Sequence, residues 1–454
     1  MTSIFQRIKA RVDDRLSRQG KLGAALVKGV AGTAGIKATH AVIVFASSIV
    51  LARALGPAGY GVMTYVIALV HLLSTPSELG VPNLAVREVA ITNARKDWGR
   101  MRGFIRWAHT TIGVISLVLA GAATVALLLF GDTLDPTKRT CMWLGIVLVP
   151  LASLNMLRSS MLRGLRKVLL GQLPEQIVRP LVFLALILGL NFVGGGLTSP
   201  VVALSAHIVS VVIAFLCGML LFFRHRPAEL AGAVPQFAGR SWLASSIPFG
   251  MTALMQLING KTDILILGMF RADADVGIYR VAVQMAALVV FGLQVVNAIQ
   301  GPHIAHLFTK GDMPRLQKMV TRSAQAIFAF ALAAVLVIVL FGRFLIETLF
   351  DPAFSAAYVP LVIICVGQLV NAAMGSVGSL LNMTGHEKDT MTSVFIGAAI
   401  NVTLNFALTP TWGPIGAAIA TTTTLITWNL IMWHMVRKRL GIEPSPFLFL
   451  LRRR

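Results

Sequence analysis

Charge is scarce in this chain, and acidic charge scarcest. Asp, Glu, Lys and Arg make up 13% of its 454 residues, and only 18 are acidic. A soluble domain carries about 25% charged residues, so an ordinary water-facing surface is excluded. Cysteine is nearly missing too. Cys141, Cys217 and Cys365 stand isolated, which excludes a disulfide framework or a thiolate metal centre. The stretch up to Lys28 lacks the apolar segment of a cleavable signal peptide. No glycine-rich phosphate loop is present, so ATP hydrolysis by this chain is not expected. No cofactor is implied, and a coupling ion, Na+ or H+, is left open.

Long apolar runs fill the chain instead. Hydrophobic residues make up 56%, and the mean hydropathy is +0.78. A helix that crosses a bilayer needs about 20 mostly apolar residues. Stretches near 29–52, 58–81, 107–130, 140–160, 169–192, 199–222, 243–269, 276–306, 322–346, 357–382, 391–410 and 413–436 read as spans. The expected fold class is therefore an all-α integral membrane protein of about 12 transmembrane helices.

Lys and Arg follow the same grid. All but nine of the 40 lie in or beside the terminal segments and alternate connections. Arg53, Lys138, Arg139, Arg271 and Arg343 lie on the other side, and Lys37, Arg179, Lys261 and Arg280 fall within spans. Basic residues gather on the cytoplasmic side of membrane proteins, so both termini are expected there. The net charge of +22 then points to anionic lipid as a partner and not to nucleic acid. Segment 1–28 places Ile4, Ile8, Val12 and Leu16 four apart among Arg7, Lys9, Arg11 and Arg15. That is the pattern of a basic amphipathic helix on the inner leaflet, with a solvated tail as the alternative. The apolar stretch 447–451, before Arg452, Arg453 and Arg454, is too short to span and is expected at the interface.

The longest connection, 224–242, is read as a cytoplasmic linker between an N-terminal bundle of six spans, 29–223, and a C-terminal bundle, 243–436; a basic cytoplasmic tail, 437–454, follows. Traces of a repeat support the division. Tyr60-Gly61-Val62-Met63 opens span two, and Val276-Gly277-Ile278-Tyr279 opens span eight. Asp97, Arg100 and Met101 precede span three as Asp312, Arg315 and Leu316 precede span nine. Gly164 and Lys167 are matched by Gly385 and Lys388. An even number of spans per half makes the pseudo-repeat parallel, not inverted. Two such bundles enclose a cleft, and rocking one against the other exposes it to each side in turn, as in a transporter.

An ionisable side chain at membrane depth is costly and usually faces protein or a water-filled cavity. Lys37 and His40 share a face of span one with Thr33 and Ser47. Lys37 is expected to be a cavity cation, for a phosphate under the resemblance given below, its alternative being a lysine that snorkels to the interface. Glu175 and Arg179, between Pro174 and Pro180, read as an internal ion pair in a kinked helix or as substrate contacts. His71, His207, His303 and His306 show no partner pattern and read as structural or interfacial. In the second half, Thr252, Gln256, Asn259 and Asp263 form a polar stripe with Lys261 beside it, and Arg280, Gln284, Gln294 and Asn297 approximate another. Gln368, Asn371, Gly375, Ser379 and Asn382 line one face of span ten, and Asn401 and Asn405 one face of span eleven. Amide bonding between helices explains any one stripe; four in one half suggest a hydrated cavity, which under the resemblance given below would hold sugar hydroxyls. The candidate substrate-binding residues are thus Lys37, His40, Arg179, Asn259, Lys261, Asp263, Gln284, Gln368 and Asn371, with no catalytic or metal-ligating group.

Several stretches carry a family resemblance. They are Leu51-Ala52-Arg53-Ala54-Leu55-Gly56-Pro57 with Tyr60-Gly61; Glu78-Leu79-Gly80 with Arg87-Glu88; Asp263 with Leu267-Gly268 and Val276 to Tyr279; and Asn401 to Thr421, with Pro410, Gly413 and Gly416-Ala417-Ala418. Together they resemble the polysaccharide exporters of the multidrug/oligosaccharidyl-lipid/polysaccharide (MOP) superfamily over about residues 30–435. The resemblance implies a MATE-like fold and a flippase for lipid-linked oligosaccharides in a bacterial cytoplasmic membrane. It also implies a monomer that works beside a glycan polymerase and chain-length proteins. A drug or metabolite antiporter is the alternative function, distinguished by a need for buried carboxylates. A membrane polymerase or ligase would need a catalytic external loop, and no acid/base pair or metal motif offers one.

Overall fold

The structure, a computed structural model, describes residues 21–193 and 199–447. The amphipathic pattern at Ile4 to Leu16 and the segment 448–454 lie outside the described residues. Those described are helix, turn and irregular chain, with no strand among them. Backbone groups in a bilayer must bond internally, and helices satisfy that need within one segment.

The first helix, α1 (Lys21–Glu78), holds two expected spans in 58 residues. No loop divides it. It bends at Gly56, whose φ of 65° and ψ of 179° suit a residue without Cβ, and Pro57 follows without an N–H to bond. The last helix, α13 (Glu387–Leu440), repeats the device at Gly413, with φ 53°, followed by Pro414. Between them run α2 (Val81–Arg95), α3 (Trp98–Phe130) and α4 (Pro136–Gly164). Next come α5 (Val168–Leu173), a π turn at Pro174–Val178, α6 (Arg179–Val193) and α7 (Pro200–His225). The second half adds α8 (Gly239–Phe270), α9 (Asp273–Thr309) and α10 (Met313–Leu349). It continues with α11 (Tyr358–Met374) and α12 (Val377–Met383), parted at Gly375 with φ 70°.

Among the described residues, nine helices are long and apolar enough to cross a membrane. The chain is an all-α, multi-span membrane protein. The polar stripe Thr252 to Asp263 lies on α8, which is not among those nine.

Packing differs between the two ends of the bundle. At the end bearing Gly56, Asp273 and Phe350, one core cluster joins the halves: Leu51, Tyr60 and Met63 pack with Ile264, Val276, Tyr279 and Phe350. At the end with the arginine- and lysine-rich connections, hereafter the basic end, the buried cores form two separate clusters, and α8 still touches the first half where Gly80 meets Gly250. Leu84, Phe104 and Met161 form one with Trp242, and Ile304, Leu316 and Leu380 form another with Val436.

The connection 224–242 is strapped to the first half. Gln236 donates its N–H to the Gly99 carbonyl at 3.0 Å. A Cβ on Gly103 would stand 1.8 Å from the Gln236 carbonyl oxygen, so glycine there admits the strap. Arg102 donates to the Ala233 carbonyl at 2.6 Å, and Trp242 packs edge-on against Phe104. The tail is also partly built in, since Ile442, Glu443 and Ser445 are buried.

Candidate functional site

Separation of the cores at the basic end leaves a cavity of about 650 Å³ between the halves. The bend at Gly56 runs both arms of α1 along it. One arm supplies His40, Ser47 and Ser48, and the other Tyr60, Thr64, His71, Ser74, Thr75 and Glu78. The first half adds Asn155 from α4, Glu175 from the π turn, Arg179 from α6 and His207 from α7. The second half adds Gln256 and Lys261 from α8 and Arg280 from α9.

Positive charge exceeds negative on these walls. Arg179 is paired with Glu175 at 3.0 Å. Lys261 and Arg280 lie within electrostatic reach of each other and of His71. Among the described residues neither has a carboxylate within 4.0 Å. Glu78 stands at the basic end without an ion pair or hydrogen bond among the described residues. Histidine Nδ1 of His40 meets the Gln176 carbonyl at 3.0 Å, tying α1 to the π turn. Such a cavity holds anionic and hydroxylated groups: it offers cations, hydroxyls and imidazoles, but no metal cluster among the described residues.

The opposite end is shut. Lys138 of α4 and Asp273 of α9 pair at 2.6 Å, and the Lys138 ammonium lies over the Tyr65 ring. Arg53 of α1 donates to the carbonyls of Phe350, at 3.1 Å, and Thr348. Phe45 packs edge-on against Phe350, and Tyr60 against Phe354. All of these contacts but the one between Lys138 and Tyr65 join the two halves.

Of the nine candidates from sequence, His40, Arg179 and Lys261 line this cavity, and the other six do not. Lys37 is exposed. Asp263 is buried and accepts a 2.6 Å hydrogen bond from the Tyr279 hydroxyl. Asn259 donates to the carbonyls of Met255 and Val394. Gln368 and Asn371 bond each other at 3.2 Å, and Gln284 is half-buried on α9. Asn401 and Asn405 likewise bond within their own helix. Asn259, Asp263, Gln368, Asn371, Asn401 and Asn405 thus bond to neighbouring protein groups in this arrangement, whereas Gln256 and Arg280, from two of the same stripes, face the cavity. Arg280, Gln256, Glu78, Glu175, His71, His207 and Asn155 are wall residues that were not among the nine. Intramembrane charge was the available signal for Arg280, Glu78 and Glu175.

Comparison with known proteins gives a consistent setting. The family described as polysaccharide biosynthesis protein is matched over residues 26–301. The probable flippase AglR of Haloferax volcanii is 28% identical over 185 residues, 40% of this chain and 39% of that protein. The probable low-salt glycan biosynthesis flippase Agl15 of the same organism is 20% identical over 181 residues, 40% and 38% of the two chains. The matched stretches span well under half the length of these relatives. Among solved structures, the lipid II flippase MurJ in an inward closed conformation superposes with a TM-score of 0.69 at 12% identity, covering 90% of this chain and 87% of that one. An inward-facing MATE family transporter of the MOP superfamily gives 0.67 at 14%, covering 88% and 94%. At such identities the likeness concerns fold alone.

Proposed function

The chain belongs to the polysaccharide biosynthesis protein family of the MOP transporter superfamily, and we propose that it is a flippase that carries a polyprenyl-diphosphate-linked oligosaccharide across the cytoplasmic membrane by alternating access. One observation carries this reading: Lys261 and Arg280, neither within 4.0 Å of a carboxylate among the described residues, share an inter-half cavity with Arg179. A cation at membrane depth is costly unless something anionic answers it, and a diphosphate supplies that charge. Ser47, Thr64, Thr75 and Gln256 offer hydrogen bonds to sugar hydroxyls, while the lipid tail stays in the bilayer. The flippase names of the two Haloferax proteins agree.

The same reading has twelve crossings in two parallel six-helix repeats. Bending at Gly56 and Gly413 turns two long helices into four spans, and α8 adds one more. With the basic end in the cytoplasm, the cavity faces the cytoplasm and the Lys138–Asp273 end closes it from outside. An uncompensated dianion moving outward, driven by an inside-negative potential, gains about 4–5 kcal/mol per 100 mV, so outward transport needs no strongly coupled ion. Anionic lipids lie against the basic end, and polymerase and chain-length proteins receive the product from a monomeric flippase.

Two experiments test this. Reporter fusions after residues 95, 165 and 232 should score cytoplasmic and those after 135 and 411 external; inversion sinks the orientation. Purified protein in liposomes should flip a fluorescent polyprenyl-diphosphate glycan, and Lys261→Ala with Arg280→Ala should abolish flipping. A second reading, a MATE-like antiporter of organic cations, draws on Glu78, a cavity carboxylate without an ion pair or hydrogen bond among the described residues. Flipping that survives the double substitution, together with loss of cation efflux in Glu78→Gln, would favour it.

A further inference from the structure

Behind the cavity wall of the first half lies a charge that touches no substrate space. Arg158 of α4 is 2% exposed and does not line the cavity. Its guanidinium occupies the place of a missing side chain on α7: a Cβ on Gly218 would stand 2.1 Å from the guanidinium carbon. One terminal nitrogen donates to the carbonyls of Ala214, at 3.2 Å, and Phe215. The other donates to Oδ1 of Asn155, one turn back on its own helix. Among the described residues no carboxylate lies within 4.0 Å of it.

Asn155 does line the cavity. It too is 2% exposed. A guanidinium has no acceptor, so the bond to Arg158 fixes which way the amide points: Oδ1 faces inward and the NH2 group faces away. That nitrogen has no hydrogen-bond partner among the described residues, yet it is not among their closed-off, unsatisfied polar atoms. The small exposure of Asn155 is therefore consistent with two N–H donors at the cavity surface. Arg158 polarises the amide as well as turning it, because a donor whose oxygen already accepts from a cation is a stronger donor.

We propose that Asn155 is a substrate-binding residue that donates to an anionic oxygen of the transported headgroup, and that Arg158 is its positioning residue. Gly218 is part of the device, since any side chain there displaces the guanidinium. The inference rests on the anionic-headgroup reading given above. It places a contact on the first half, across from Lys261 and Arg280 on the second. An anion gripped from both sides draws the halves together, and on the first half Asn155 adds donors beside Arg179, whose charge Glu175 already answers.

The test uses the full-length protein in liposomes, with the fluorescent polyprenyl-diphosphate glycan as probe. Wild-type flipping must first be seen, and its absence indicts the flippase reading and not this contact. Asn155→Asp keeps an oxygen for Arg158, and so the fold, but removes the donors and adds a negative charge. Its apparent KM should rise about tenfold or more, with maximal rate and membrane abundance little changed. Asn155→Leu should show a similar rise. Arg158→Met should raise KM in the wild-type background but add nothing further in Asn155→Leu, which a merely structural arginine would not reproduce. A wild-type KM in Asn155→Asp overturns the proposal. Additive effects of Arg158→Met and Asn155→Leu on KM overturn the positioning role.

Discussion

Gly61 and Gly277 lie against each other across the boundary between the halves. A Cβ on Gly61 would stand 3.0 Å from the Gly277 nitrogen, and one on Gly277 would stand 3.2 Å from the Gly61 nitrogen. Each also presses on a carbonyl of the other helix: 1.7 Å would separate a Gly61 Cβ from the Asp273 oxygen, and 2.1 Å a Gly277 Cβ from the Pro57 oxygen. The contact is reciprocal, and the two glycines hold equivalent places in the short motifs that open the second and eighth apolar stretches. The proposed parallel repeat would give this geometry if its copies met at their own axis.

Alanine at either glycine must therefore push α1 and α9 apart, since neither obstacle is a movable side chain. Gly61→Ala and Gly277→Ala should each cost about 1–3 kcal/mol, the range of overpacked cores, and by similar amounts because the sites are equivalent. Melting temperature in detergent measures this. Gly121→Ala is the control, as nothing lies within 4 Å of a Cβ there. Equal melting of all three proteins would refute the tight contact.

Beside that contact, Lys138 and Asp273 form the charged part of the closed end, with side-chain exposures of 12% and 22%. Reversing one charge leaves two like charges 2.6 Å apart where an ion pair was. Lys138→Glu or Asp273→Lys should open this end, and the double swap should reclose it. A cysteine in place of Thr64, in a background without the three native cysteines, reports opening by its reaction with an impermeant thiol reagent. Labelling should rise about tenfold in each single variant, as expected for loss of roughly 1.4 kcal/mol, and fall back in the double. Unchanged labelling in the singles removes the pair from the gate.

Much of this was legible in the sequence, for physical reasons. Apolar length and the side preference of Lys and Arg are bulk properties of a bilayer solvent, and they made a multi-span helical protein readable. Helix joints were not readable in the same way. Gly56 and Gly413 replace loops by bends, because local backbone geometry leaves little trace in hydropathy; only the break at Pro174, where the two prolines marked a kinked helix, was readable. The site divides similarly. Intramembrane charge marked Arg179 and Lys261, which line the cavity. The amide stripes divide: Gln256 lines the cavity, but an amide satisfied within its own helix, as Asn405 is by the Asn401 carbonyl at 2.9 Å, has the same spacing as one that faces a ligand. Lys37 and Lys261 are likewise alike in sequence, and only the packing tells the exposed lysine from the cavity lysine.

That distinction can be measured. If the cavity cations hold the headgroup, Lys261→Ala or Arg280→Ala should lower flipping at least tenfold, since a hydrogen bond to a charged group contributes about 1.5–3 kcal/mol. Lys261→Arg should retain more activity than Lys261→Ala because the charge remains. Lys37→Gln should flip at close to the wild-type rate. A dead Lys37→Gln at normal membrane abundance would return the phosphate role to the first span.

The tail offers a test of the second half alone. After α13 the chain turns back under α10 and is held through Glu443. Its carboxylate accepts from the Trp433 indole at 2.9 Å and the Ser445 N–H at 3.2 Å, and it pairs with Arg437 at 3.2 Å. Gln317 of α10 closes both backbone groups of Glu443, at 2.9 and 2.7 Å. The next residue then fits where α11 breaks: a Cβ on Gly375 would stand 2.5 Å from the Pro444 carbonyl oxygen. Two observations thus describe one seat, and perturbing either should lift the same segment. Glu443→Ala removes the carboxylate and strands two donors, so a loss of about 2–4 kcal/mol is expected. Gly375→Ala adds the strain of a φ near 70° and evicts Pro444. Because each variant already frees the strap, the double should melt only slightly below the worse single, a coupling that a double-mutant cycle reads directly. Additive losses would mean that Glu443 and Pro444 are held independently, and that the segment past Leu440 is not one unit.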